Sequence, residues 1–354
     1  MKGVSIFLLL TCNLVGICFG GNKDAEFEHA MVNGASVCIR LRVVGDDGEA
    51  VGDAKVNVLL GMNFRERANH VTGFTSADGE FVIKGITTGN EIEIQVSKDG
   101  YYRSNDALCL ITRQGNAKVR DGKWQPWGEE RKIRLRKIKN PIYLIRHEKT
   151  MYIPETNVWM GLDLSCGDWT EPFGKGKESD IEVRVLWDGK SPEYSRYCKT
   201  EARFVKPMSG FYELKNVMES KMPYPYEANT NATYGSNFEY YDRKNGAKMR
   251  TELLPNDNRV LRVRCEITKD GRLKCANYCG LRCLEASPGM AGEKAVLGLE
   301  CVFNPTPNDT NLEDMDIAQR TYKQIELEKR LEKERREKEA KTVWGGIKKM
   351  FGAP

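Results

Sequence analysis

Val44-Gly-Asp-Asp-Gly-Glu-Ala-Val51 begins the stretch that decides the fold, which continues to Tyr101. Asp46, Asp47 and Gly48 are typical residues of a tight turn, and they lie between two short apolar segments. A Gly-containing turn next to a strand recurs in Thr75-Ser-Ala-Asp-Gly-Glu-Phe81 and in Ile92-Glu-Ile-Gln-Val-Ser-Lys-Asp-Gly-Tyr101. These signals predict antiparallel β-structure.

Apolar and polar residues alternate on both sides of this stretch. The pattern begins at Ser36 and recurs at Val37/Ile39/Leu41/Val43, Ala54/Val56/Val58/Leu60, Phe81/Ile83, Ile92/Ile94/Val96 and Ile133/Leu135. A period of two is typical of half-buried strands in two packed sheets. We therefore expect an all-β fold in which Leu41, Val56, Ile83 and Ile94 are buried.

The three turn-and-strand signatures resemble the carboxypeptidase regulatory-like domain, a small transthyretin-like, immunoglobulin-like β-sandwich. The resemblance covers residues 36–138. It implies that this part of the chain is an accessory module and not a catalytic domain, so its sequence names no substrate.

Residues 139–312 are also predicted to be rich in strands, which gives two β-sandwich-like domains in tandem. The candidate strands are Ile142–Ile145, Ile181–Trp187, Phe211–Leu214, Arg259–Ile267, Leu273–Tyr278 and Lys294–Phe303. Lys269-Asp-Gly-Arg272 is a hairpin signal between two of them. The segments Gly167 to Gly176 and Asn304 to Leu312 resemble uncharacterised exported bacterial proteins that have no known activity.

The N-terminal residues 1–20 have the pattern of a signal peptide. Lys2 is followed by an apolar segment, Val4 to Ile17, that is too short to span a membrane as a helix. Cleavage at Gly20 is the favoured outcome, and the alternatives are retention of the segment as an anchor and lipidation at Cys18. We expect export to the periplasm or the extracellular space, with residues 21–35 as a linker.

The composition changes after Leu312. Residues 313–342 lack Gly and Pro and are rich in Glu, Lys and Arg, which predicts a long charged helix with acid-to-base pairs four residues apart, such as Glu334/Lys338. The apolar residues do not sustain heptads, so a lone helix is favoured over a coiled coil. Residues 343–354 form an apolar and basic tip suited to a membrane surface or a partner groove, with Trp344, Ile347, Lys348, Lys349, Met350 and Phe351.

Motifs for catalysis are scarce. The chain has three histidines, and it contains neither a His-Glu-x-x-His pair nor a Gly-x-Ser-x-Gly elbow. We therefore predict no catalytic, cofactor-binding or metal-binding residues. His147 beside Glu148 could orient a base, but a surface position on a strand is the favoured interpretation. The net charge of +5 is too small to indicate a nucleic-acid partner.

Of the 11 cysteines, Cys12 and Cys18 precede Gly20 and nine follow it. An oxidising compartment favours disulfides. The candidates are Cys265, Cys275, Cys279, Cys283 and Cys301. Cys265 and Cys275 flank the Asp270-Gly271 turn almost symmetrically, so they are expected to lie opposite each other. The spacing of Cys275, Cys279 and Cys283 does not suit one zinc ion, since four residues of strand span about 13 Å.

Aromatic residues offer the candidate contact surface. They are Trp124, Trp127, Tyr224, Tyr226, Tyr240 and Tyr241, and the two tryptophans lie in a predicted loop, residues 113–128. Contact with a glycan or an envelope protein, and burial beneath a long loop, are both open. The favoured function is a non-catalytic envelope scaffold or interaction protein. The alternatives are a carbohydrate-binding accessory protein and a cryptic hydrolase subunit.

Overall fold

The computed structural model describes residues 25–61, 69–89, 91–110, 118–187, 198–214, 220–243, 258–287 and 295–350. These residues form 21 strands and two helices, which confirms the predicted all-β class. Within these ranges no helix is long and apolar enough to cross a membrane. The predicted signal peptide lies outside the described residues.

The first β unit begins with helix α1 (Ala25–Asn33) and contains eleven strands. They are β1 (Ala35–Val44), β2 (Lys55–Leu60), β3 (Asn69–Phe74), β4 (Glu80–Thr87), β5 (Glu91–Ser97), β6 (Tyr101–Tyr102), β7 (Ser104–Cys109), β8 (Lys118–Arg120), β9 (Lys123–Gln125), β10 (Glu129–Arg134) and β11 (Arg136–Lys137). One sheet has the order β10-β1-β9-β8, with β4 also paired to β1, and a second has the order β3-β2-β5-β7. β6 and β11 form a small two-stranded sheet.

The core of this unit follows the alternation in the sequence. Leu41, Val56, Ile83 and Ile94 are each at most 1% exposed, as predicted. Arg40 and Arg42, on either side of Leu41, are exposed, and Val82 next to Ile83 is 48% exposed. Because a shift of one residue would exchange the two faces of a strand, this burial supports the predicted register.

Two segments predicted to be irregular have regular structure. Residues 25–33 of the predicted linker form α1, whose Phe27 packs edge-on against Trp124 with the ring centroids 6.0 Å apart. The predicted loop of residues 113–128 contains β8 and β9 instead. Both predictions were wrong because each segment is short and is held in place by contacts distant in sequence.

The second β unit contains ten strands in two five-stranded sheets. The strands are β12 (Ile145–Tyr152), β13 (Met160–Asp163), β14 (Asp168–Trp169), β15 (Ile181–Trp187), β16 (Cys198–Arg203), β17 (Gly210–Glu213), β18 (Asn237–Arg243), β19 (Arg259–Ile267), β20 (Leu273–Ser287) and β21 (Val296–Phe303). The sheet orders are β12-β21-β20-β19-β17 and β14-β13-β15-β16-β18. β15 and β19 have the predicted bounds.

Strand β20 continues nine residues past the predicted end at Tyr278. Gly280 lies inside it, where a Cβ atom would come within 2.7 Å of the Tyr224 ring. The glycine therefore marks a close approach of a side chain to the strand backbone and not the end of the strand.

Helix α2 spans Met315–Met350, 36 residues that correspond to about 54 Å of α-helix. It begins between the two β units, where a third apolar cluster includes Tyr102, Tyr224, Leu312, Ile317 and Ala318.

Candidate functional site

The start of α2 is held by a buried carboxylate from the residue that precedes its cap. Glu313 is 1% exposed. Its side chain accepts hydrogen bonds from the Tyr102 hydroxyl at 3.0 Å and from the backbone N–H groups of Lys139 and Asn140 at 2.8 and 2.7 Å. One side chain therefore joins the first β unit, the connection between the units and α2.

Asp314 caps the helix. Its side chain accepts a hydrogen bond from the backbone N–H of Asp316 at 2.9 Å, which satisfies one of the free donors of the first turn. Burial raises the pKa of Asp314, an effect that Arg146 opposes from 3.6 Å. Ile142 adds two backbone hydrogen bonds, one to Glu313 and one from Met315, each 2.8 Å.

The two β units are joined beside the helix by Arg136, which is 3% exposed. Its guanidinium donates hydrogen bonds to the carbonyl oxygens of Met222, at 2.9 Å, and Tyr224, and it pairs with Asp46 at 3.2 Å. The same group lies 4.2 Å from the centre of the Tyr226 ring. Apolar packing, hydrogen bonds and cation–π contact therefore all act at this junction.

The buried face of α2 is short. Ile317 and Ala318 are buried, and so is Thr321 one helical turn later. Farther along, Glu328 pairs with Arg103 and Lys329 pairs with Asp99 of the first unit. After Lys329, every described side chain of α2 is exposed. The helix therefore leaves the body of the protein near Lys329.

The predicted tip lies at the end of this helix. Trp344, Ile347, Lys348, Lys349 and Met350 fall within the bounds of α2, but their side chains lie outside the described part of the chain, as does Phe351. Their role as a membrane or partner contact stays a prediction.

The predicted aromatic contact residues do not form one surface. Trp124 is 1% exposed and donates its indole N–H to the Thr87 carbonyl oxygen at 2.8 Å, and Tyr224 is 2% exposed. Trp124 and Tyr224 are therefore buried and are not available for contact with a glycan or a protein partner. Trp127 is 42% exposed, and Tyr226 lies at the junction. The side chains of Tyr240 and Tyr241 lie outside those that the structure describes.

The seven cysteines whose thiols the structure describes are all free, including Cys265, Cys275, Cys279, Cys283 and Cys301. Cys275 is paired with Glu266 and not with Cys265, contrary to the expectation from the hairpin. A β-bulge at Arg264, whose φ is 53°, shifts the register between the turn and the rest of the ladder. The disulfide in this group stays a prediction.

A cluster of hydrogen-bonded polar side chains lies at the end of β13 and in the loop that follows it. Arg264 donates hydrogen bonds to Asp163 at 2.8 Å, Asp180 at 2.9 Å and the Ser165 hydroxyl at 3.0 Å. Burial alone would raise the pKa of Asp163, but hydrogen bonds from Ser165 and from the backbone N–H groups of Lys177 and Glu178 lower this pKa to about 2. Asp163 is therefore ionised and is already surrounded by donors.

His147 and Cys166 lie beside this centre. The His147 ring packs on Gly167 and has Nε2 3.2 Å from the Ser165 carbonyl oxygen, and burial lowers its pKa. The Cys166 thiol is exposed, and its pKa is raised first by partial burial and then by Asp163. A thiol with a raised pKa is a poor nucleophile at neutral pH. In the described part of the chain, no group of three or more His, Cys, Asp or Glu side chains could hold a metal ion.

No protein-family model matches this chain, and no curated protein matches it either. Several solved structures do. A 3-chlorocatechol 1,2-dioxygenase from Rhodococcus opacus 1CP has 14% sequence identity and a TM-score of 0.23, with 29% of this chain and 60% of that chain covered. A catechol 1,2-dioxygenase from Acinetobacter sp. ADP1 has 13% identity and a TM-score of 0.23, with 30% and 53% covered. A hydroxyquinol 1,2-dioxygenase from Pseudomonas putida DLL-E4 has 12% identity and a TM-score of 0.23, with 29% and 57% covered.

These matches correct the prediction of function. All three structures are enzymes, so the description of this protein as a non-catalytic scaffold or interaction module, and as no enzyme, is not retained. This chain covers between about half and three fifths of their lengths. With TM-scores below 0.5, the likeness carries no argument that this chain cleaves aromatic rings.

Proposed function

We propose that this protein is exported and attaches to an anionic membrane surface through residues 343–354, with α2 as the carrier. In this proposal residues 1–20 are a signal peptide and residues 36–138 are a carboxypeptidase regulatory-like domain. Export would bring the attached protein to the outer side of a membrane or into the periplasm.

The observation that carries the proposal is the change of burial along α2. Ile317 is 8% exposed and Ala318 is 0% exposed, whereas Leu331 is 53% exposed. α2 continues to Met350, and the residues from Arg330 onward correspond to roughly 30 Å of helix at about 1.5 Å per residue. A helix that is fixed at its start and whose described side chains are exposed after Lys329 can present its last turns at a distance.

The sequence of the last turns supplies the chemistry. Trp344, Ile347, Met350 and Phe351 are apolar and can enter the boundary between headgroups and acyl chains. Lys348 and Lys349 lie beside them, and each lysine near an anionic membrane contributes about 1 kcal/mol. Apolar insertion and charge attraction then act on the same short segment.

Co-sedimentation with lipid vesicles tests the proposal. The full-length protein is expected to bind vesicles of phosphatidylcholine with phosphatidylglycerol and not vesicles of phosphatidylcholine alone. Lys348→Glu combined with Lys349→Glu should weaken binding by more than about tenfold, since two favourable lysine contributions are removed. Lys338→Glu combined with Lys341→Glu is the matched control, because it makes the same charge change away from the tip. Equal binding of both double variants to anionic vesicles would contradict the proposal.

A further inference from the structure

The sheet that contains β1 has an outer face rich in basic side chains. Arg40 and Arg42 alternate in β1 with buried core residues, and both are exposed. The neighbouring strands add Lys84 of β4 and Lys132 of β10, because Lys84 is paired with Cys38 and Lys132 is paired with Arg42. Paired residues of neighbouring strands lie on the same side of a sheet. Four exposed cations therefore share a patch that is three strands wide.

The same outer face continues onto β8 and β9. Val119 and Trp124 of these strands are buried in the core of the first unit. Because side chains alternate along a strand, Lys118, Arg120 and Lys123 point to the opposite side, and all three are exposed. The pairing of β9 with β1 joins them to the patch around Arg40.

Positive charge is concentrated on this surface. With Arg134 of β10, its described strand residues include eight bases, against the two acids Glu80 and Glu130. This excess of six positive charges is larger than the net charge of +5 of the whole chain. Within the described residues, none of the eight bases forms an ion pair. We call this surface the basic face.

The basic face also carries apolar groups and is open. Val82 and Ile86 of β4 point outward and are 48% and 46% exposed. Trp127, which is 42% exposed, precedes Gly128, whose carbonyl oxygen accepts a hydrogen bond of 3.0 Å from Arg40. α2 docks against the sheet of β2 and β5 instead, so it leaves the basic face uncovered.

We propose that the basic face binds the headgroups of an anionic membrane. The negative surface potential of such a membrane attracts the lysines and arginines, and adsorption brings Val82, Ile86 and Trp127 against the headgroup boundary. Among the described side chains of this surface, Trp127 is the one exposed large aromatic group. One such group does not suit a nucleic acid, whose bases stack on several aromatic side chains.

This inference deepens the proposed membrane attachment and rests on it for the kind of partner. The contact itself is separate, since the basic face belongs to the first β unit and the proposed attachment uses residues 343–354. Each contact is therefore open to its own test.

Co-sedimentation of the full-length protein with vesicles of phosphatidylcholine and phosphatidylglycerol tests the inference. Lys84→Glu combined with Lys132→Glu should weaken binding by at least about tenfold, because two favourable lysine contributions are removed. Lys149→Glu combined with Lys269→Glu is the matched control. It makes the same charge change at two exposed positions of the second unit and should bind like the wild type. All four lysines are exposed, so both variants are expected to fold, and equal unfolding midpoints in urea check this.

Equal binding of these two double variants overturns the inference. The Lys348→Glu, Lys349→Glu double variant separates it from the proposed function. If only the variant at Lys348 and Lys349 loses binding, the basic face has no role. If only the variant at Lys84 and Lys132 loses binding, the inference holds and attachment through residues 343–354 fails. Tighter binding of a short DNA duplex than of the anionic vesicles at the same ionic strength would assign the basic face to a nucleic acid and overturn the inference.

Discussion

The Tyr102 hydroxyl donates a hydrogen bond of 3.0 Å to the Glu313 carboxylate, although the two residues are 211 positions apart. Tyr102 is 0% exposed and Glu313 is 1% exposed, so water does not compete for this bond. The bond ties the first β unit to the residue that precedes the cap of α2. The direction in which α2 leaves the protein therefore depends on the junction between the units.

Removal of the Glu313 side chain should be costly. Glu313→Ala leaves the Tyr102 hydroxyl and two backbone N–H groups buried without their acceptor, and each such group costs about 1–3 kcal/mol. We expect urea denaturation to give a free energy of unfolding lower by at least about 2 kcal/mol. Glu93→Ala, at an exposed position of β5, should change it by less than about 0.5 kcal/mol. Similar values for both variants would show that the junction contributes little.

Two adjacent residues of β4, one buried and one exposed, allow a direct test of the core of the first unit. Ile83 is 0% exposed and Val82 is 48% exposed on the same strand. Ile83→Ala should lower the free energy of unfolding by about 2–5 kcal/mol, since it leaves a cavity. Val82→Ala should cost much less. If thermal or chemical denaturation reversed this order, the strand register given above would be wrong by one residue.

The two ion pairs of α2 are expected to differ in strength. The Arg103 side chain is 8% exposed and that of Glu328 is 25% exposed, whereas both side chains of the pair Lys329–Asp99 are 64% exposed. Glu328→Ala leaves a mostly buried guanidinium without its partner, and hydrogen exchange at residues 321–329 should accelerate. Lys329→Ala removes only an exposed pair, which contributes about 0–1 kcal/mol. A faster exchange in Lys329→Ala than in Glu328→Ala is the contrary outcome.

The lowered pKa of Asp163 predicts how the free energy of unfolding depends on pH. Its pKa falls on folding to about 2, below the ordinary value of 3.8, because Ser165 and backbone N–H groups donate to the carboxylate. Because the folded protein holds the Asp163 carboxylate ionised more strongly than the unfolded chain does, Asp163 stabilises the fold above about pH 4. This stabilisation is lost as pH falls toward about 2. Urea denaturation from pH 6 to pH 2 should therefore show a steeper loss for the wild type than for Asp163→Asn. Parallel curves would mean that Asp163 does not titrate as described.

Cysteine reactivity should follow exposure. Cys166 is exposed, whereas Cys38, Cys279 and Cys301 are buried. Alkylation of the folded protein followed by mass spectrometry should modify Cys166 first and the buried thiols only after denaturation. The same experiment without reduction tests the predicted disulfide among Cys265, Cys275, Cys279, Cys283 and Cys301. Full modification of every denatured thiol in exported protein would exclude that disulfide.

The alternation of apolar and polar residues along the chain predicted those parts of the fold that depend on residues close together in sequence. The alternation around Leu41 and Ile83 was sufficient for the strands and the core, because side chains on a strand have a period of two. It was not sufficient for α1, where Phe27 depends on Trp124, or for β20, where Gly280 depends on Tyr224. Such contacts are set by the packing of distant segments.

The candidate site shows the same limit. The composition after Leu312 indicated a charged helix and an apolar tip, but nothing local indicated that Glu313 and Arg136 hold the two units together. The sequence also contains no sign of the bulge at Arg264. A glycine is the usual sign of a positive φ, and here the residue is arginine. This bulge is the reason that Cys265 does not lie opposite Cys275.

Fractionation of cells that express the protein tests membrane attachment through α2 most directly. The full-length chain and a variant without residues 343–354 are compared at low and high salt. We expect the full-length protein in the membrane fraction, with partial release by salt, and the shortened protein in the soluble fraction with the same unfolding midpoint. Membrane association of the shortened protein equal to that of the full-length protein at both salt concentrations would contradict the proposal.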